Sequence, residues 1–247
     1  MRDLIAAEWR KIWTGRAWWA LGLSAALLCV LADAGYLTQA LDQLPKGTTT
    51  EADLTSTLVQ GWFMVELVAA LATMLAVTRE FSNGAICRTA LLGGGRGRVL
   101  TAKLVAAAGT GAVYALAAGA AAAASPWLFL AGRAWHPQWT TTTTWTLLGV
   151  MLVIVVGALW GSLLGIVIRQ QVVAIVVLLL STWLVSEGLL RLAPEIGRFT
   201  IDEAMAAVYR SGNDGVLPIP WALVVLAAWI VVAGVAGRTL FLRRDLP

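Results

Sequence analysis

Long apolar runs at 17–37, 58–77, 104–128, 145–168, 172–190 and 219–240 constrain this chain more than any other feature. The hydrocarbon core of a bilayer is about 30 Å thick, and a helix needs about 20 apolar residues to cross it. Each run has that length. The expected fold is therefore an all-α polytopic membrane protein with six transmembrane helices. Hydrophobic residues make up 59% of the chain and charged residues 13%, with a mean hydropathy of +0.78. That composition leaves too little polar surface for a soluble globule of this size. Nearly all of the 247 residues read as one membrane domain.

The charged stretch at 1–16 is long, and the apolar run after it lacks a small-residue cleavage site, so the first span is expected to stay in the mature protein. Orientation follows from the lysines and arginines of the short loops, which are retained on the cytoplasmic side during insertion. With the N-terminus inside, only Lys46, Arg133, Arg191, Arg198 and Arg210 fall outside. The inner side takes all the others, including Arg16, Arg79, Arg88, Arg96, Arg169 and Arg243. Both termini are expected in the cytoplasm, with the protein in a bacterial plasma membrane. Tryptophan marks the same boundaries, because an indole prefers the headgroup level. Trp9, Trp13, Trp18 and Trp19 form an expected inner belt, while Trp62, Trp127, Trp135, Trp139, Trp145 and Trp221 lie towards the outer face.

A formal charge of +4 raises the question of nucleic acid, but the basic residues sit at membrane boundaries and form no continuous patch. Anionic lipid headgroups account for them better. Cys29 within the first span and Cys87 in a loop imply no disulfide framework.

Before the first span, Ile5, Trp9, Ile12 and Trp13 share one helical face, opposite Asp3, Arg10, Lys11 and Thr14. This pattern predicts an interfacial helix along the inner leaflet. The loop after the second span, covering 79–98, opens with Ser82, Asn83 and Gly84, which supply a turn and an N-cap. Ala85 to Leu92 can then form two helical turns, which Gly93, Gly94 and Gly95 stop. A short helix is expected across the inner mouth of the bundle.

In this stretch Glu80, Gly84, Ile86, Arg88, Leu91 and Lys103 stand in an order that resembles bacterial ABC-2 type permeases. The resemblance extends over the amphipathic start, the six spans, the long outer loop and the basic end Arg243, Arg244, Asp245. Where many relatives carry Thr beside the glycine and Pro after the short helix, this chain has Ala85 and the Gly93 to Gly95 run. The resemblance implies an ABC-2, type V exporter-like architecture. It also implies that Glu80, Gly84, Ala85, Ile86, Arg88 and Leu91 form a coupling helix seated on a separate ATP-binding cassette subunit. Two copies of that subunit, binding ATP and magnesium, are expected with two permease copies, as a homodimer.

Between the last two spans, residues 191–217 are too polar to cross the bilayer. Thr200 and Glu203 make a capping-box signature, and Ile201, Ala204, Met205 and Val208 follow at helical spacing. A short amphipathic helix is expected at the outer face. The resemblance implies an extracellular gate helix here, including Thr200, Glu203, Met205 and Val208; a passive lid on lipid is the alternative.

Gly157, Gly161 and Gly165, and likewise Gly111, Ala115, Gly119 and Ala123, recur every fourth residue, which lets helix backbones approach within one subunit. Asp33, Glu66 and Glu187 lie in or at the edge of spans, and such acids face the bundle interior, water or a donor. Glu66 is deepest and is the candidate for lining a translocation cavity; Asp33 and Glu187 are expected near the outer face. The five threonines Thr140 to Thr144 are expected to cap the fourth span.

The chain has no GxxxxGK[ST] loop, so ATP is expected to bind elsewhere. His136, the single histidine, stands apart from any ligand cluster or nucleophile, which argues against metal and Ser–His chemistry. The chain itself is expected to hold no cofactor and catalyse no bond cleavage. The leading expectation is the permease subunit of an ATP-driven exporter for a hydrophobic or amphipathic antibiotic, peptide or lipid. A proton-coupled secondary transporter using Glu66 is the alternative, and an intramembrane enzyme lacks paired catalytic groups.

Overall fold

The computed structural model describes residues 1–14, 17–209 and 217–243, without the side chains of Pro45 and Glu187. The expectations at Arg16, Arg210, Arg244 and Asp245 lie outside the described residues, and that at Glu187 concerns a side chain that is not described. Among those residues, every regular element is helical. The order is α1 (Arg2–Trp13), α2 (Ala17–Gln43), α3 (Glu51–Gln60), α4 (Val65–Ser82), α5 (Ala85–Leu92), α6 (Arg96–Leu130) and α7 (Thr141–Ile168). There follow α8 (Gln171–Leu180), α9 (Ser186–Leu192), α10 (Pro194–Gly197), α11 (Ile201–Tyr209) and α12 (Ile219–Arg243). A 3-10 turn (Gly61–Met64) joins α3 to α4, and a π-helical turn (Ser181–Val185) joins α8 to α9.

Among the described residues, six helices are long and apolar enough to cross a membrane: α2, the compound Glu51–Ser82, α6, α7, the compound Gln171–Leu192, and α12. Several outrun the apolar windows that mark them. The second span, expected over 58–77, begins at Glu51 because Thr50 and Asp53 form a capping box that starts the helix in polar sequence. An apolar window measures the hydrocarbon crossed, whereas a cap decides where the helix begins. Glu66, at the start of α4, therefore sits near the middle of this compound span.

Helix α7 is the hub. Its Gly157, Gly161 and Gly165 face, in turn, Glu66, the Ala70 backbone and the Met74/Val77 pair of α4, each too close for a larger residue without a shift. On another side, Gly111 and Gly119 of α6 meet Val155/Ala158 and Met151 of α7. Small residues make such approaches possible, and dispersion between the backbones then holds helices that lipid does not drive together. Thr73 adds a hydroxyl that donates across the seam to the Ala158 carbonyl at 2.7 Å.

Two expectations near the far end are corrected. Asp33 is 0% exposed, since α2 continues to Gln43 and places it inside the bundle, where its Oδ2 accepts from the Trp62 indole at 3.1 Å. Trp62 is accordingly buried and belongs to no headgroup belt, unlike the exposed Trp127, Trp139, Trp145 and Trp221. The second correction is α11, expected as an amphipathic helix at the outer face. All its apolar residues, Met205 and Val208 included, are buried, with the helix wedged against α7 and α12. Gly149 of α7 opens the space by lying against the Val208 carbonyl and the Tyr209 backbone, and Phe63 stacks on Tyr209. The Thr200 hydroxyl does accept from the Glu203 N–H, at 3.4 Å.

The two ends of the bundle are closed differently. At the far end Thr140 and Thr143 form a capping box on α7, Ser56 and Thr143 share a hydrogen bond, and Gln138 donates to Thr55 and Glu51. At the basic end Arg96 donates to the Leu242 carbonyl and Arg169 to the Leu240 carbonyl, so two boundary arginines cap the C-terminus of α12. Their charge suits the negative end of a helix dipole.

Replacing Gly161 by Val should destabilise the protein by about 1–3 kcal/mol through overpacking against the Ala70 backbone. Gly234→Ala, inside α12 where a Cβ meets open space, should not lower the thermal unfolding temperature in detergent, since alanine is the better helix former.

Candidate functional site

The basic end holds a closed ring of four charges drawn from three helices. Glu8 and Lys11 come from α1, Glu80 from the last turn of α4 and Lys103 from the third turn of α6. The Lys103 Nζ lies 2.8 Å from Glu8 Oε2 and 2.8 Å from Glu80 Oε1. The Lys11 Nζ lies 2.6 Å from Glu8 Oε1 and 3.1 Å from Glu80 Oε1. Each ammonium thus bridges both carboxylates, and the ring is neutral. Lys103, Glu8 and Glu80 are buried. Charges taken out of water persist only when paired and hydrogen-bonded, as these are.

The ring reaches the short helix α5 through Thr89, whose hydroxyl receives a hydrogen bond from Lys11 at 3.2 Å. Burial pulls the Lys11 ammonium down, but its hydrogen bond to Glu8 and the charges of Glu80 and Glu8 more than offset this, leaving it above its ordinary value. A cation so raised contributes fully below its unfolded pKa of 10.5 and loses that contribution only as pH rises through the raised value. Lys11 therefore keeps its charge, and its part in the ring, at neutral pH.

Local sequence explains how α5 is set. Gly84 adopts φ 67°, a left-handed conformation that suits glycine, and reverses the chain after α4. The Asn83 side chain accepts from the Ala85 N–H at 3.0 Å, satisfying a donor at the start of α5. Ile86 is completely buried beside Val77, Phe81, Val99 and Phe241, and anchors the helix to the bundle. The outward face presents Leu91 and Leu92, 84% and 78% exposed, together with exposed Arg88. Beside them, a groove of about 480 Å³ runs between α1 and the end of α5, lined by Leu4, Ala7, Leu92, Gly93 and Arg98 among others.

These positions correct two expectations. Glu80 is not offered to another chain, because its carboxylate is taken by Lys11 and Lys103. Ile86 points inward, so it seats α5 and leaves outward contact to Arg88, Leu91 and Leu92. Helix α1 also does more than lie on a leaflet: Trp9 packs on Gly109, and Trp13 meets Trp18 and Tyr114. Sequence reasoning missed Glu8 and the pairing of Lys103. Their one local signal is the three-residue spacing of Glu8 and Lys11, which does not reveal that Glu80 and Lys103 close the ring.

The second candidate, Glu66, faces Gly157 of α7 and lies within electrostatic range of Asp202 on α11. Asp202 in turn accepts from the Ser186 hydroxyl at 2.8 Å. The structure therefore brings Glu66 and α11 together inside the bundle, while the charge ring lies at the other end of α4 from Glu66.

A family model described as "ABC-2 family transporter protein" matches residues 4–184, which takes in all but the first two residues of α1, the whole charge ring, α5 and Glu66. No curated protein matches the chain.

Glu8→Gln should destabilise the protein by about 3–5 kcal/mol, because it strands Lys103 with one carboxylate in a buried site. The Glu8→Gln, Lys103→Met pair should recover much of that loss in tryptophan-monitored thermal unfolding.

Proposed function

The chain belongs to the ABC-2 transporter family, a membrane transport subunit with no catalytic site of its own, and on that premise we propose that it is the permease of an ATP-driven exporter. The basic end faces the cytoplasm, in keeping with the retention of positive loops. There α5 docks on a separate ATP-binding cassette subunit, which supplies ATP and magnesium chemistry. Two permease copies and two ATPase copies assemble around a central path for a hydrophobic or amphipathic compound such as an antibiotic, peptide or lipid.

The observation that carries this reading is the division of α5 into two faces. Ile86 and Thr89 tie it inward, while Leu91 and Leu92 stand bare at the polar end of a membrane protein. Exposed leucines at a polar boundary suit an apolar slot on a partner, with Arg88 adding a charge-assisted contact. The inward tie matters equally. A push on α5 or α1 enters a rigid ring and reaches α4 and α6 together, because the charges cannot separate without a large desolvation cost. Helices α4 and α6 both pack on α7, so the displacement passes into the core. Glu66 and α11 then stand where a path through the core would open towards the far side.

Purification from native membranes in mild detergent should recover a soluble chain with a phosphate loop and ATPase activity, in equal stoichiometry. Leu91→Glu combined with Leu92→Glu should preserve insertion while cutting ATPase recovery and ATP-dependent transport at least tenfold. Unchanged recovery and transport would remove α5 as the docking element. Transport that survives ATP depletion but collapses with the proton gradient would replace the whole reading with one centred on Glu66.

A further inference from the structure

Between α2, α4 and α5 lies a second cleft of about 300 Å³, separate from the groove beside Leu92. Its walls change character along its length. One end is apolar, built from Trp18 and Leu21 of α2 and Ala72 and Leu75 of α4. The other end carries Arg79 of α4 and Arg88 of α5. Ala72, Leu75, Arg79 and Asn83 follow one helical stripe, so the cleft runs along α4 for about 16 Å at 1.5 Å per residue. It is thus an elongated slot with a greasy end and a cationic end.

The cations at the second end are uncommitted. Lys11 and Glu80 also reach the cleft, but both are spent in the charge ring. Among the described residues, the guanidinium of neither Arg79 nor Arg88 meets a carboxylate or makes a hydrogen bond. This sets them apart from Arg96 and Arg169, which cap α12. Two guanidiniums on adjoining helices, with their donors free, form a receptor for an anionic group such as a phosphodiester. The apolar end excludes a simple hydrophilic anion as the best fit. The depth also matches: α2 begins at Ala17, so Trp18 sits at the membrane boundary where headgroups meet acyl chains.

We infer that this cleft binds an anionic phospholipid of the leaflet at the basic end, with its phosphodiester held by Arg79 and Arg88 and an acyl chain laid along Trp18, Leu21 and Leu75. Lateral access is open along the cleft's own side of α2, where Leu28, about two turns on from Leu21, is exposed to the bilayer. A lipid seated there touches the start of α2, the end of α4 and α5 at once. Its binding is thereby linked to the position of the coupling helix, and anionic lipid content becomes a determinant of how firmly α5 is held. That consequence rests on the coupling role proposed for α5; the binding itself does not.

Native mass spectrometry of the detergent-purified chain, with added phosphatidylglycerol or phosphatidylcholine, tests the site without any ATPase partner. Phosphatidylglycerol should be retained at least tenfold better than phosphatidylcholine. Arg79→Gln with Arg88→Gln, both at exposed positions, should abolish that preference, while Arg98→Gln at the same end should keep it. Leu75→Trp, which fills the apolar end, should weaken retention several-fold with both arginines intact. Equal retention by the Arg79→Gln, Arg88→Gln variant, equal loss in Arg98→Gln, or indifference to Leu75→Trp overturns the site. Full displacement of the lipid by millimolar inorganic phosphate overturns the lipid as occupant. None of these outcomes bears on ATPase recovery, so the two readings fail separately.

Discussion

In a bilayer, helices gain nothing from burying leucine against one another, and close packing must come from backbones that can approach. The stripe Gly157, Gly161, Gly165 on α7 provides that approach to α4, and Gly111 and Gly119 of α6 provide it on another side. Everything else in the bundle is placed relative to this three-helix seam. Glu66 owes its position opposite Gly157 to it, and α11 reaches the core because Gly149 leaves room for the Val208 and Tyr209 backbone. Helices away from the seam, notably α2 and α12, bury only a narrow stripe and leave broad apolar faces to lipid.

The same seam creates the conditions for the charge ring. With α4 and α6 held on α7, their basic ends bring Glu80 and Lys103 together, and α1 completes the set with Glu8 and Lys11. A buried ring of this kind adds little net stability over an apolar filling, but it is intolerant of misregistration, since any shift leaves a charge unpaired in a dry site. Its contribution is therefore to position: α1, α4 and α6 have one mutual arrangement, and α5 is hung on it by Thr89 and Ile86. Rigidity at this end and exposed Leu91 and Leu92 just beyond it are the two properties a transmitting element needs.

Much of this architecture is legible in the amino-acid sequence. The six spans, the interruption at Gly84, the short helix Ala85 to Leu92, the threonine cap at Thr140 and the glycine packing stripes all follow from rules that act over a few residues. Other residues defy the same rules. Asp33 and Trp62 read as outer-face residues because their windows end near them, yet each supplies the partner the other lacks inside the bundle. Glu80 reads as an outward charge because it stands in a polar loop motif, and no local pattern shows that Lys103 is waiting beside it. Helix α11 has the spacing of an amphipathic surface helix, but a membrane protein can bury both faces of a short helix when a neighbour such as Gly149 yields the space.

By itself, then, the sequence determined the class of fold, the number of apolar crossings and the boundaries set by caps and breakers, because hydrocarbon thickness and helix-end chemistry depend only on neighbours along the chain. Only the tertiary structure decided which charges are spent inside and which remain available. Glu8, Lys11, Glu80 and Lys103 neutralise one another, while the Arg79 and Arg88 guanidiniums find no partner among the described residues and stand beside an apolar slot. The physical reason is that the fate of a charge depends on the distance to its nearest opposite, and helices from separate parts of the chain set that distance.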